Sequence, residues 1–106
     1  MIRIIEGKRY NTDTAEEILA LDNGGYYSRS DFRWEETSLY RTPKGVWFLA
    51  GRGGPMTRWA HAVGLNGQTG GEGLQPIGAD EAQGILEDHN RTELLEQFFP
   101  DRIEDA

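Results

Sequence analysis

Pro43-Lys44-Gly45 stands between two short runs, residues 38–42 and 46–50, that are rich in aromatic and aliphatic side chains. Proline presets φ for the first turn position, and glycine accepts the left-handed conformation that closes the turn. Two strands joined by so short a link must pair antiparallel, which commits this part of the chain to a hairpin. Strand side chains alternate between faces, so Leu39, Arg41, Val46, Phe48 and Ala50 need not share one face. Tyr40, Trp47 and Leu49 should oppose some of them.

Ile2-Ile5 and residues 8–10 flank Glu6-Gly7, which predicts a second hairpin with glycine supplying the turn. Thr14-Ala15-Glu16-Glu17 has the order of a capping box, and Ala15, Ile18 and Leu19 follow at spacings of three and four. That pattern predicts a helix ended by Asn23-Gly24-Gly25. Residues 26–36 carry Tyr26, Tyr27, Phe32 and Trp34 and read as an irregular loop pinned by aromatics. Gly51-Arg52-Gly53-Gly54 reads as a glycine turn, with Pro55 opening a short helix to about residue 62. Five glycines between residues 64 and 73 predict a flexible loop, and Leu74-Gln75-Pro76-Ile77 predicts an edge strand, where proline's missing N–H is tolerated.

Near the end, Asp80-Glu81-Ala82-Gln83 opens a helix whose inward stripe is Ala82, Ile85, Leu86 and His89. Asn90 is placed to cap a second helix, with Leu94, Leu95, Phe98 and Phe99 facing the core and Pro100 closing it. The fold class these elements imply is α+β: a small antiparallel sheet of hairpins with helices packed on one side and two C-terminal helices, in a single domain over residues 1–106.

At 106 residues and 37% hydrophobic composition, one core accounts for the whole chain. No apolar run approaches the roughly 20 residues of a membrane span, and the opening residues lack the charged and long apolar regions of a secretory signal. With no cysteine, disulfides, thiolate metal sites and cysteine nucleophiles are excluded together. These features lead us to expect a cytoplasmic protein with no membrane association.

The charge distribution is uneven. Residues 1–71 hold nine bases and eight acids, for a net +1, whereas residues 72–106 hold ten acids against Arg91 and Arg102, for a net −8. Glu81, Glu87, Asp88, Glu93 and Glu96 fall off the apolar stripes and should project into water. They are candidates for binding a basic protein surface by copying the spaced negative charge of a nucleic-acid backbone. A solvated face that keeps the chain in solution accounts for the same residues. Direct nucleic-acid binding is not expected, because that affinity comes from cations displacing phosphate counterions.

Other candidates are sparser. Tyr27, Trp34 and Trp59 are possible anchors in a protein-binding patch, since so many aromatics are hard to hide in a small core. Arg52, Gly53, Gly54 and Arg58 could form an anion nest ahead of a helix, although the segment lacks a phosphate-loop ending and fits a structural turn equally well. His61 and His89 have no companions at metal-ligand or catalytic spacing. Glu35 and Glu36 are adjacent in a strand and so point to opposite faces, with Arg33 or Arg41 as expected partners. No nucleophile, base and orienter set is present, so neither an enzyme nor a cofactor is expected.

Several blocks also resemble a known group of sequences: Gly7-Lys8-Arg9-Tyr10, Thr12-Asp13-Thr14-Ala15, Asp22-Asn23-Gly24, Ser30-Asp31-Phe32, Glu35-Glu36-Thr37, Leu39-Tyr40-Arg41-Thr42, Gly53-Gly54-Pro55-Met56-Thr57 and Gly70-Gly71-Glu72. Together they look like small uncharacterised proteins of bacterial phages, plasmids and integrated elements. The resemblance is loosest after Leu74, and Gly78 stands where a serine or threonine cap would be expected. It carries no catalytic residues. It implies a setting in which small accessory proteins, the anti-CRISPR proteins among them, bind and disable host defence complexes. The expected partner is therefore a basic surface of a host protein or nucleoprotein complex, approached by steric block or nucleic-acid mimicry. The alternative is a small regulatory or anion/nucleotide-binding domain built on Arg52 and Arg58.

Overall fold

The computed structural model describes residues 1–21, 30–65 and 67–106 and has an α+β fold. Strands β1 (Ile2–Ile5) and β2 (Lys8–Asn11) form the first hairpin. Its turn places both Glu6 (φ 51°) and Gly7 (φ 78°) in the left-handed region, the geometry that matches the twist of tightly joined strands. Four further strands, β3 (Glu16–Ala20), β4 (Glu35–Arg41), β5 (Trp47–Gly53) and β8 (Gly71–Ile77), make an antiparallel sheet in the order β3-β4-β5-β8. Between β5 and β8 a small hairpin is inserted, β6 (His61–Val63) paired with β7 (Gly67–Thr69). Helices α1 (Ala79–Asp88) and α2 (Thr92–Phe98) and a short 3₁₀ turn (Pro100–Arg102) complete the chain.

The β4–β5 turn forms at Pro43-Lys44-Gly45, with Gly45 at φ 86° and the Thr42 N–H donating to the Val46 carbonyl at 2.8 Å. Alternation divides the sheet residues between two cores. Leu39, Trp47, Leu49 and Ile77 face α1 and α2, where they meet Ala82, Leu86 and Phe99. Phe48 and Ala50 face the first hairpin, where Tyr10 closes over them and Tyr40 stacks on Phe48 with ring centroids 5.1 Å apart. The sheet is thus covered by helices on one side and by the β1–β2 hairpin on the other. Phe98 meets the Trp47 ring edge-on at 5.3 Å, and the Arg41 guanidinium lies 5.0 Å from the Phe98 ring centre.

Four segments differ from the sequence expectations. Residues 14–19 are not helical. They lead into β3, which pairs with β4. A register shift between Glu17 and Leu19 breaks strict alternation, so that neighbouring Ile18 and Leu19 both pack into the helix-side core. The β-bulge accounts for Ile18 and Leu19 sharing a side, whereas Ala15, the third member of the expected stripe, packs in the opposite core with Tyr10 and Phe48. The capping partners are engaged elsewhere: Thr14 Oγ1 donates to the Asn11 carbonyl, and Glu17 accepts from Ser38 Oγ at 2.9 Å. The expected stop at Asn23-Gly24-Gly25 lies outside the described residues, as do Tyr26 and Tyr27.

Gly51-Arg52-Gly53 is strand rather than turn, and no helix follows Pro55; residues 55–59 form successive turns. The glycines answer to packing. Gly51 pairs with Gly73 and Gly53 with Gly71 across β5 and β8, which strips one patch of the sheet of side chains. Trp59 lies on this patch: a Cβ on Gly73 would come within 2.8 Å of its indole ring. The predicted loop at 64–73 is instead the β6–β7 hairpin, turned at Gly64 (φ 65°), followed by the start of β8. The edge strand at residues 74–77 is present as the end of β8.

The helix caps are also placed differently. Gly78 is the N-cap of α1 and makes no side-chain cap, while Asp80 and Glu81 sit in the first turn, where the helix dipole favours them. Asn90 does not cap α2. It takes φ 54°, its N–H donates to the Glu87 carbonyl and the Arg91 N–H to the Leu86 carbonyl. That is the Schellman closure of α1, and asparagine tolerates the left-handed conformation it requires. Arg91 is then the N-cap of α2. His89 is exposed rather than inward, with its Nδ1–H donating to the Ile85 carbonyl at 2.9 Å. No helix among the described residues is long and apolar enough to cross a membrane.

Candidate functional site

Helix α1 buries Ala82 and Leu86 and turns its acids outward. Glu81 and Asp88 are seven residues apart, so they fall on one line about two turns, or roughly 10 Å, along the axis. On α2, Glu93 and Glu96 are three apart and share a face while Leu94, Leu95 and Phe98 pack inward. Glu81, Glu87, Asp88, Glu93 and Glu96 are all exposed. None of the five is in an ion pair with a described residue. Among the described residues the only neutralising contact on these helices is Arg102, which binds Asp80 and also donates to Gln83 Oε1.

Neither α1 nor α2 has a basic residue in its last turn. Glu87, Asp88 and Glu96 occupy those turns instead, next to the negative end of the helix dipole, where a carboxylate is locally unfavourable. Among the described residues Glu87 is held by the Gln83 amide alone, at 3.1 Å.

The remaining candidates divide. Trp59 is core: it is 6% exposed, and its indole N–H donates to Thr37 Oγ1 at 2.8 Å. A surface-anchor role for Trp59 is therefore corrected, because the glycine patch beneath it leaves room for the ring to lie flat. Trp34 is half-buried, with the Arg52 guanidinium 5.5 Å from its ring centre. Tyr27 lies outside the described residues.

The anion nest does not assemble as expected. Arg52 pairs with Glu36 at 2.9 Å and Arg58 with Glu35 at 3.2 Å, so among the described residues these arginines, in place of the expected Arg33 or Arg41, hold the two carboxylates. The helix that was to follow Gly53 and Gly54 is missing, because both glycines are packed against the backbone of residues 32–34. Arg33 instead binds Asp31 through its side chain and its backbone N–H, and together these hold the Asp31 carboxyl down to about 2. Burial, and then the charges of Glu17 and Asp13, push the Tyr40 hydroxyl up. His61 is exposed on β6, and no cluster of metal-ligating side chains occurs among the described residues.

Two surface features escape sequence reasoning. Phe32 and Met56 are 64% and 68% exposed and adjoin one another, the Met56 N–H donating to the Phe32 carbonyl. Nothing in their spacing distinguishes them from core residues. Lys8, Arg9 and Lys44 border one cleft although they come from different hairpins. Their position in or beside two turns is the only signal the sequence offers. No family model, curated protein or solved structure matches the chain.

Proposed function

We propose that this protein works without catalysis, by docking the acidic surface of α1 and α2 on a cationic surface of a larger protein or nucleoprotein complex. The resemblance to mobile-element proteins directs the choice of partner to a bacterial defence complex, with inhibition of the anti-CRISPR type as the activity. The supporting observation is the set of exposed carboxylates, Glu81, Glu87, Asp88, Glu93 and Glu96, without cationic partners among the described residues. Three of them stand where the helix dipole disfavours them, so helix stability does not account for their placement. Fixed negative charge on a rigid surface steers a basic partner and sets its orientation.

Titrating a purified CRISPR effector complex with the protein, at about 0.05 M and about 0.5 M salt, tests this reading, since the Debye length shortens severalfold over that range. Stoichiometric binding that weakens with salt, and that disappears when Glu87, Asp88, Glu93 and Glu96 are together changed to lysine, is the expected result. Binding that survives the four reversals removes the acidic surface from the mechanism.

A further inference from the structure

We propose that the cleft between the N-terminal hairpin and the β4–β5 turn binds a small organic anion with a flat apolar body, in the size class of a nucleoside monophosphate. The cleft encloses about 490 Å³, within the range of small-molecule sites. One wall is β2 with the turn that follows it, and the other is the Pro43-Lys44 turn with Val46. Lys8 on the first wall, on the same strand face as Tyr10, and Lys44 on the second bring two cations to one opening, while Arg9 lines the first wall from the strand face it shares with Ile4. No carboxylate is among its lining residues.

The side chains of Lys8 and Lys44 have no ion pair or hydrogen bond with any described residue. This contrasts with Arg3, Arg33, Arg52, Arg58 and Arg102, each of which has a carboxylate within reach. Like charges gathered at a concave surface reinforce one another's field and favour an anion there. The floor is suited to a ring. Tyr10 is 6% exposed, packed edge-on against Phe48, and Val46 and Pro43 add aliphatic surface. The Tyr10 hydroxyl has no hydrogen-bond partner among the described residues, and it is not sealed from solvent either. A partly wet hydroxyl on a buried ring gives the ligand body a polar contact. This site is distinct from Arg52 and Arg58, and it lies across the sheet from the helices.

The test is a titration of the ¹⁵N-labelled protein with adenosine monophosphate, with inorganic phosphate and adenosine as separate arms. Saturable shifts at Gly7, Tyr10, Lys44 and Gly45 are expected from the monophosphate, with both fragments weaker by about tenfold or more. Lys8→Gln combined with Lys44→Gln should weaken the monophosphate by about tenfold or more while leaving the rest of the spectrum in place. Shifts centred on Arg52 and Arg58, no saturation in the millimolar range, or equal binding by the double variant would overturn the assignment. Phosphate binding as tightly as the monophosphate would overturn the ring component, and adenosine doing so would overturn the anion component. The four helix reversals should leave this titration unchanged, so its outcome is independent of the docking surface.

Discussion

Replacing Thr37 by valine isolates one buried hydrogen bond. Thr37 is 2% exposed, and its hydroxyl accepts from the Trp59 indole at 2.8 Å while donating to Glu35 at 2.9 Å. Valine has nearly the same shape, so no cavity opens, but the indole N–H is left without a partner inside the protein. An orphaned buried donor costs roughly 1–3 kcal/mol, and Glu35, whose side chain is 12% exposed, keeps Arg58 as a partner when the threonine hydroxyl is lost. A loss of about 2 kcal/mol corresponds to a fall in melting temperature of roughly 8–16 °C in a domain of this size. Urea denaturation followed by far-UV circular dichroism measures the difference. The decisive comparison is in the Trp59→Phe background, where there is no indole donor to orphan, and the same threonine change should cost less than about 0.5 kcal/mol. An equal cost in both backgrounds would refute the argument, and so would a single variant as stable as the parent.

Other substitutions follow from the helices and the 31–33 turn. Gly84 lies within α1, and a Cβ there meets nothing within 4 Å, so Gly84→Ala should stabilise by roughly 0.5–1 kcal/mol, read from the denaturation midpoint. Glu87→Lys with Asp88→Lys places cations in a last turn that has none, and should raise stability by roughly 0.5–1.5 kcal/mol while weakening partner binding. A variant less stable than the parent would contradict the dipole argument. Asp31 is lowered from 3.8 to about 2. Its folded value lies below its unfolded one, so its stabilising contribution is complete above the unfolded value and is lost as pH falls from about 4 to about 2. Carboxyl NMR should show that midpoint, and Arg33→Gln should return it towards 3.8.

The parts of the fold legible in the sequence are those set by local backbone chemistry. Gly45 and Gly7 needed positive φ, and both hairpins appeared where those residues stood. Alternation set Trp47 and Leu49 against Phe48 and Ala50, but Tyr40, grouped with Trp47 and Leu49 in the sequence, lies on the Phe48 face because it is one residue out of step with Leu39; the apolar stripes located both C-terminal helices. The errors came from residues whose role depends on a distant strand. Gly51, Gly53, Gly71 and Gly73 look like punctuation in one dimension, yet their cross-strand pairing makes the bed on which Trp59 lies. Ile18 and Leu19 imitate a helical face because a bulge turns both to the same core. Asn90 is a good N-cap by type, but its backbone was already committed to closing α1. The acidic helices were visible because charge needs no tertiary partner to be counted, whereas the basic cleft depends on two turns meeting in space.

Charge segregation connects these surfaces. The four-stranded sheet keeps the carboxylates of α1 and α2 on one side and Lys8, Arg9 and Lys44 on the other, with the Glu35–Arg58 and Glu36–Arg52 pairs neutralising the ground near its middle strands. A cationic partner approaching the protein is drawn to the helices, so the field favours one orientation of encounter before any contact forms. The reversals at Glu87, Asp88, Glu93 and Glu96 should therefore slow association with a basic partner more than they accelerate its dissociation. Stopped-flow measurement across a salt series separates the two rates, and an effect confined to dissociation would show that those carboxylates act through short-range contacts instead of the field.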